Sequence, residues 1–243
     1  MALRAITFDF WCTLYHARSD GNASEARTDT IQRYLAAGGY QTQREQVRSA
    51  LDATFQRATA VWLNEQRTAA ANERVGWILE ALGASLPPAP LAAMVAELEE
   101  ALLTSDIVLV AGAADALRHL APRYRLALIS DAGMTPGRVL RQFMARDGIL
   151  GYFQHCAFSD ETGHAKPHPH QFVDTLQRLG VRAEEAAHVG DLAATDIAGA
   201  RAAGMHAIMI TGVTQGQDPS QADAVIASFA ELLPTLRRFD LGS

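Results

Sequence analysis

Two patterns of apolar and polar positions divide this chain. Short, nearly unbroken apolar runs occur at residues 4–9, 125–130, 153–158, 187–190, 206–211 and 224–226, and they read as buried strands. Between the later runs, residues 136–145, 170–179, 192–203 and 229–238 carry an apolar side chain every three or four positions, the spacing of helices packed on one face. Residues 16–105 follow the helical pattern alone. They are rich in Ala, Arg, Glu, Gln and Leu, as in 30–35 and 47–62, and are punctuated by Gly38-Gly39 and Pro87-Pro88-Ala89-Pro90, which predicts about four helices.

Strands alternating with helices of this length imply a parallel sheet covered on both faces, a doubly wound α/β fold. The expected organisation is an α/β core made of residues 1–15 and 106–243, with 16–105 inserted as an all-α cap. A chain of 243 residues, 49% hydrophobic, suffices for one sizeable core and such an insertion. In open parallel sheets ligands bind at the carboxyl ends of the strands. Asp9, Ser130 and Asp191 each fall at or just past such an end, so three separate segments deliver polar groups to one edge.

Charge and cysteines narrow the partners. The net charge is -6 with both signs mixed along the chain, which argues against a nucleic-acid or membrane surface. Cys12 and Cys156 lie far apart and form no metal-ligand spacing, as expected in a reducing cytoplasm. The N-terminus runs straight into a strand, with no leader and no membrane span expected. Of 21 basic residues only Lys166 is a lysine. An ammonium is a compact point charge where a guanidinium is a planar fork, which marks Lys166 as a site candidate.

The segments Asp9-Phe10-Trp11-Cys12-Thr13-Leu14, Ser130, Lys166-Pro167 and Gly190-Asp191 with Asp196 occur in that order. This resembles the four-motif signature of the haloacid dehalogenase superfamily, and residues 158–169 and 188–205 are similar to its phosphoglycolate-phosphatase-like, helical-cap branch. The resemblance implies that Asp9 is the nucleophile and that Lys166, Ser130 and Thr13 stabilise the transferring group. It implies Mg²⁺ held by Asp9, Asp191 and the backbone carbonyl of Trp11, with Asp196 in support. Chemistry agrees: carboxylates gathered around Asp9 repel one another unless a cation or proton intervenes, and oxygen-only ligation suits Mg²⁺. Trp11, Cys12 and Asp131 adjoin the motifs and are candidates for touching a small phosphorylated substrate. The chain is expected to act as a monomer or homodimer.

One position departs from the signature. Phosphatases of this superfamily carry a second aspartate, the general acid and base, two residues after the nucleophile. This chain has Trp11, and an indole neither gives nor takes a proton at neutral pH. General acid catalysis typically supplies about 10²–10⁴-fold, so good leaving groups are favoured. An aromatic residue here is similar to the dehalogenase branch, which makes a metal-independent 2-haloacid dehalogenase one alternative and a catalytically silent ligand-binding member another. Asp191 speaks against dehalogenation, since its carboxylate would repel a haloacid. His16, Asp20, Asp131, Glu161 and His164 are near enough in sequence to replace the acid, whereas His168, His170 and His188 read as capping or packing residues. Cys12 reads as a small packed side chain where the superfamily usually has glycine. Phe55, Trp62 and Trp77 fit helix packing, with one of them able to reach the site.

Overall fold

The computed structural model describes residues 2–18 and 22–240. The chain opens with β1 (Ala5–Phe8) and β2 (Tyr15–Ala17), passes through α1 (Asn22–Ala37), α2 (Arg44–Glu65), α3 (Ala71–Ala81) and α4 (Pro88–Glu100), and returns through β3 (Ile107–Leu109). It continues with α5 (Ala113–Leu120), β4 (Arg125–Ser130), α6 (Gly137–Arg146), β5 (Phe153–Phe158), α7 (Ser159–Thr162), α8 (Pro169–Leu179) and β6 (Ala186–Gly190). After β6 come α9 (Ala198–Ala202), β7 (His206–Ile210), β8 (Ala224–Ile226) and α10 (Leu232–Asp240).

Six strands form one parallel sheet in the order β5-β4-β1-β6-β7-β8. Alternate side chains serve the two faces. Ile6, Phe8, Leu126, Leu128, Val189 and Ile208 enter one apolar cluster, backed by residues of α5, α6 and α10. Ala5, Ala127, Ala186 and Ala207 enter the other, where their small size lets Phe172 and Leu176 of α8 sit close. This is the expected doubly wound sheet. Its central strand β1 lies between β4 and β6, the point from which the connections run both ways and where a crevice opens.

Helices α1–α4 enclose a core of their own, including Ile31, Leu35, Val47, Val75, Ile78 and Met94. The proline-rich stretch begins α4, with Pro88 at its first position, where the missing N–H breaks no helical bond. The antiparallel pair β2–β3 joins the chain entering this all-α cap to the chain leaving it. That pair and α5 go beyond the sequence expectation, because three-residue strands are too short to show a period. The segment expected as a helix over 192–203 opens instead with a π-helical turn, Ala193–Ile197, before α9. Among the described residues no helix is long and apolar enough to cross a membrane.

Candidate active site

The parallel register sets Phe8 beside both Leu128 and Val189, so β1, β4 and β6 end together. Asp9, Ser130-Asp131 and Asp191 therefore emerge side by side. Carboxylate oxygens of Asp9, Asp191 and Asp196 all lie within 4.8 Å of one another, and all three residues are buried. Lys166 reaches this cluster from the loop after α7. Its Nζ donates to Asp9 Oδ1 at 2.5 Å and to Asp196 Oδ1 at 2.6 Å, and the residue is 2% exposed.

Asp196 is held on every side. Its Oδ1 also meets His188 Nε2 at 3.2 Å, and its Oδ2 accepts the Leu192 N–H at 3.0 Å. On the far side of the ring, His188 Nδ1 lies 2.8 Å from Thr7 Oγ1. The ionised Asp196 can only accept, so the ring proton lies on Nε2 and Nδ1 is left as an acceptor towards the Thr7 hydroxyl. Burial holds His188 below the usual histidine range, hence neutral. Gly190 makes the packing possible: a Cβ there would stand 2.3 Å from Asp196 Cγ. The π-helical turn carries Asp196 beneath the end of β6, a common use of such turns at functional sites.

Burial, the largest influence, would lift all three carboxyls, and the neighbouring charges then separate them. Lys166, with the bond from His188, holds Asp196 well below the usual carboxylate range. Asp9 stays well above that range, since Asp196 and Asp191 oppose Lys166. Asp191 is pushed up to about 6 by burial and by Asp196, against a hydrogen bond from Thr214 Oγ1 to its Oδ2. Asp9 and Asp191 each have one oxygen engaged by a side-chain donor, Asp9 Oδ1 by Lys166 and Asp191 Oδ2 by Thr214. Three buried carboxyls within 4.8 Å of one another, with Lys166 as the cation bonded to two of them, fit a hard divalent ion. Asp196, with its oxygens already engaged, fits the outer role.

Around this cluster lies a cavity of about 220 Å³ lined by Trp11, Cys12, Trp62, Asp131, Thr195 and Thr214 together with the acids and Lys166. Cys12 has φ 54°, in the left-handed region where glycine is at ease. Thr13 Oγ1 and Thr195 Oγ1 are buried without a hydrogen-bond partner. Ser130 is buried too, its hydroxyl making one long contact, 3.5 Å, to the Asp131 carbonyl. Asp131 accepts from the Lys166 N–H at 2.9 Å, from Gln171 Nε2 at 3.3 Å and from Trp62 Nε1 of α2 at 2.9 Å. Burial, outweighing Lys166, pushes its carboxyl up to about 6.

Of the residues considered as replacement acids, Asp131 lines this cavity. Glu161 is paired with Arg141, His164 stacks on His168 at 4.1 Å, His16 bonds the Ala17 carbonyl, and Asp20 lies outside the described residues. His168 caps α8 by accepting the His170 N–H. Trp62 is the cap aromatic that reaches the cluster, whereas Trp77 packs under the Arg57 guanidinium. Sequence reasoning missed Thr7, Thr195 and Thr214, and read His188 as mere packing. A polar side chain inside an otherwise apolar strand, twice in register at Thr7 and His188, was the available signal.

Residues 3–204 match the family model for haloacid dehalogenase-like hydrolases. The chain belongs to that family. Over 95 residues it is 39% identical to glyceraldehyde 3-phosphate phosphatase of Methanopyrus kandleri, covering 38% of this chain and 41% of that protein. Over 131 residues it is 36% identical to human haloacid dehalogenase-like hydrolase domain-containing protein 3, covering 51% and 50%. The matched part thus spans about half the length of these curated relatives or less. The crystal structure of 2-haloacid dehalogenase from Pseudomonas syringae pv. Tomato DC3000 superposes with a TM-score of 0.71 at 23% identity, over 98% of this chain and 99% of that one. At that identity the likeness establishes the haloacid dehalogenase-like fold and leaves the reaction to the site.

Proposed function

We propose that this haloacid dehalogenase-like hydrolase is a Mg²⁺-dependent phosphatase of small phosphorylated metabolites, working through a phosphoryl-Asp9 intermediate in the cytoplasm. The observation that carries this reading is the single ammonium of Lys166 between Asp9 and Asp196, with Asp191 facing the same cavity. In the proposed reaction an Asp9 carboxylate oxygen attacks phosphorus and the bond from phosphorus to the leaving oxygen breaks. Water then attacks the phosphoryl group and returns Asp9 as a carboxylate.

Lys166 offsets the negative charge of nucleophile and phosphoryl group, which must approach each other against repulsion. Thr13, through its unpartnered hydroxyl, and Ser130 bind phosphoryl oxygens. His188 and Thr7 hold Asp196, and Asp196 in turn aims the Lys166 ammonium. Mg²⁺ held by Asp9, Asp191 and the Trp11 carbonyl would supply further neutralisation of phosphoryl charge. Trp11 and Trp62 cover the cavity and exclude water, with Cys12 and Asp131 at its wall. With Trp11 in place of the acid, leaving groups that depart as stable anions react fastest.

The phosphatase names among curated relatives support this reading. Dehalogenation is disfavoured because Asp191, inside the cavity, repels a carboxylate substrate. Neither Cys12 nor Cys156 is in a disulfide, in keeping with a reducing compartment. The test is a screen of an aryl phosphate and an acyl phosphate, with and without Mg²⁺, on wild type and Asp9→Asn. Magnesium-dependent turnover abolished by Asp9→Asn is expected. Halide release from 2-haloacids without a divalent ion, or activity retained by Asp9→Asn, would overturn the proposal.

A further inference from the structure

The Asp9 cavity does not end at the catalytic cluster. Trp11, Trp62 and Asp131 are shared with a second cavity of about 260 Å³ that runs between cap and core, past Phe55, to Arg74. Arg74 and Phe55 are shared in turn with a third, of about 160 Å³, which reaches Arg27. Two cap guanidinium groups therefore line a row of adjoining cavities, Arg74 the middle and last and Arg27 the last, whose first holds Asp9.

Neither is in an ion pair, and the nearest charge to act on Arg74 is that of Glu73, its neighbour in the chain. Most arginines of this chain lie within 4.0 Å of a carboxylate, as Arg44, Arg67, Arg138 and Arg141 do. Among the described residues Arg27 and Arg74 have no such partner, although both are largely withdrawn from solvent. Arg74 donates through Nε to the Ala69 carbonyl at 2.9 Å, and its two terminal nitrogens lie over Gly133 of the core without a hydrogen bond. Arg27 donates from one terminal nitrogen to Thr135 Oγ1 at 3.2 Å, and its Nε is buried without a partner. Asp52 borders the third cavity but is within ion-pair distance of neither.

Burial together with the charge of Arg74 lowers Arg27 to about 10, the signature of a cation short of a counter-ion. Leaving two like charges unpaired in a poorly solvated place is costly, and a planar guanidinium is the side chain best suited to grip an oxyanion with two parallel bonds. A neutral substrate tail would leave that cost standing. An anionic one removes it.

We propose that Arg27 and Arg74 form a second anion subsite, so that the substrate is a small phosphomonoester carrying a further oxyanion, carboxylate or phosphoryl, at its far end. This rests on the phosphatase reading for the near end only. Anion binding at the far end is measurable without any turnover.

The test uses three probes with the same three-carbon spacer: propyl phosphate, 3-phosphonooxypropanoate and propane-1,3-diyl bisphosphate. Their affinities are measured by calorimetry on full-length Asp9→Asn with Mg²⁺, then on that protein with Arg27→Gln, Arg74→Gln or Arg74→Lys added. One or both doubly anionic probes bind about tenfold tighter than propyl phosphate, and the better of them identifies carboxylate or phosphoryl as the second group. Each Arg→Gln change brings that ratio to within about twofold, and Arg74→Lys, which keeps charge but loses the fork, leaves it between. Because each ratio is taken within one folded preparation, a general loss of stability does not mimic the result. Equal affinity for all three probes, or a ratio unchanged in every arginine variant, overturns the subsite. Arginine-dependent binding of the probes with no hydrolysis of an aryl or acyl phosphate by wild type would keep the subsite and defeat the phosphatase, whereas turnover of those two with equal binding of all three probes would do the reverse.

Discussion

Trp62 Nε1 donates to Asp131 Oδ2 across 2.9 Å, a hydrogen bond from the cap helix α2 to the loop after β4, made at the wall of the cavity that holds Asp9. Beside it, Thr68 bonds both Ser159 and the Ala132 carbonyl, and the Ala165 N–H donates to the Gln66 carbonyl at 2.7 Å. The cap is thus latched shut at the residues that flank Lys166.

Trp62→Phe keeps the apolar cover and removes only the donor. A hydrogen bond to a charged group contributes about 1.5–3 kcal/mol, so KM for an aryl phosphate rises roughly tenfold and backbone amides of 62–68 exchange faster with deuterium. Unchanged exchange in this segment would show that the indole N–H does not hold the cap.

Lys166→Met leaves Asp9 and Asp196 buried beside each other without their shared cation. Removing one partner of a buried pair costs roughly 3–5 kcal/mol, read as a lowered midpoint in urea, and turnover falls by about 10³-fold or more. A stability change under about 1 kcal/mol would mean that the two carboxyls take up protons at little cost.

Trp11→Asp installs a carboxyl two residues after the nucleophile, at a position lining both the near and the middle cavity. If the missing proton donor is what limits slow leaving groups, kcat for an alkyl phosphate rises at least about tenfold relative to an aryl phosphate. An unaltered alkyl-to-aryl ratio would place the proton's entry elsewhere.

If Asp191 is a ligand of the proposed Mg²⁺, its raised carboxyl ties that binding to pH. With its folded value pushed up to about 6, chiefly by burial, the metal-free folded protein holds a proton that the unfolded chain has already lost. Its contribution therefore favours folding below about pH 4 and is lost as pH rises through about 6. Mg²⁺ displaces that proton, so binding tightens from pH 5.5 to 7.5 and releases protons at pH 6 but few at pH 8. Calorimetry in two buffers of different ionisation enthalpy measures the release. Mg²⁺ affinity independent of pH over this interval would exclude Asp191 as a ligand.

The four inner strands β4, β1, β6 and β7 were readable because a strand buried on both faces is almost wholly apolar, and its end is marked by the first residue that needs a partner. Asp9, Ser130 and Asp191 were legible for that reason, and Lys166 because it is the chain's one lysine. Thr7 and His188 look alike in one dimension and acquire meaning only when parallel register sets them 2.8 Å apart, under Asp196.

The cap divides in the same way. Helical spacing announced its helices, since periodicity is a property of neighbours in the chain. Which face meets the core is decided between elements far apart in sequence, where packing rather than propensity selects the contact. Trp62 on Asp131, Arg74 over Gly133 and Arg27 on Thr135 are contacts of this kind. The order of the six sheet strands and the polar residues at their ends were thus determined by the linear pattern, while the β2–β3 pair, the closure of the cap and the charges it turns inward were decided only in three dimensions.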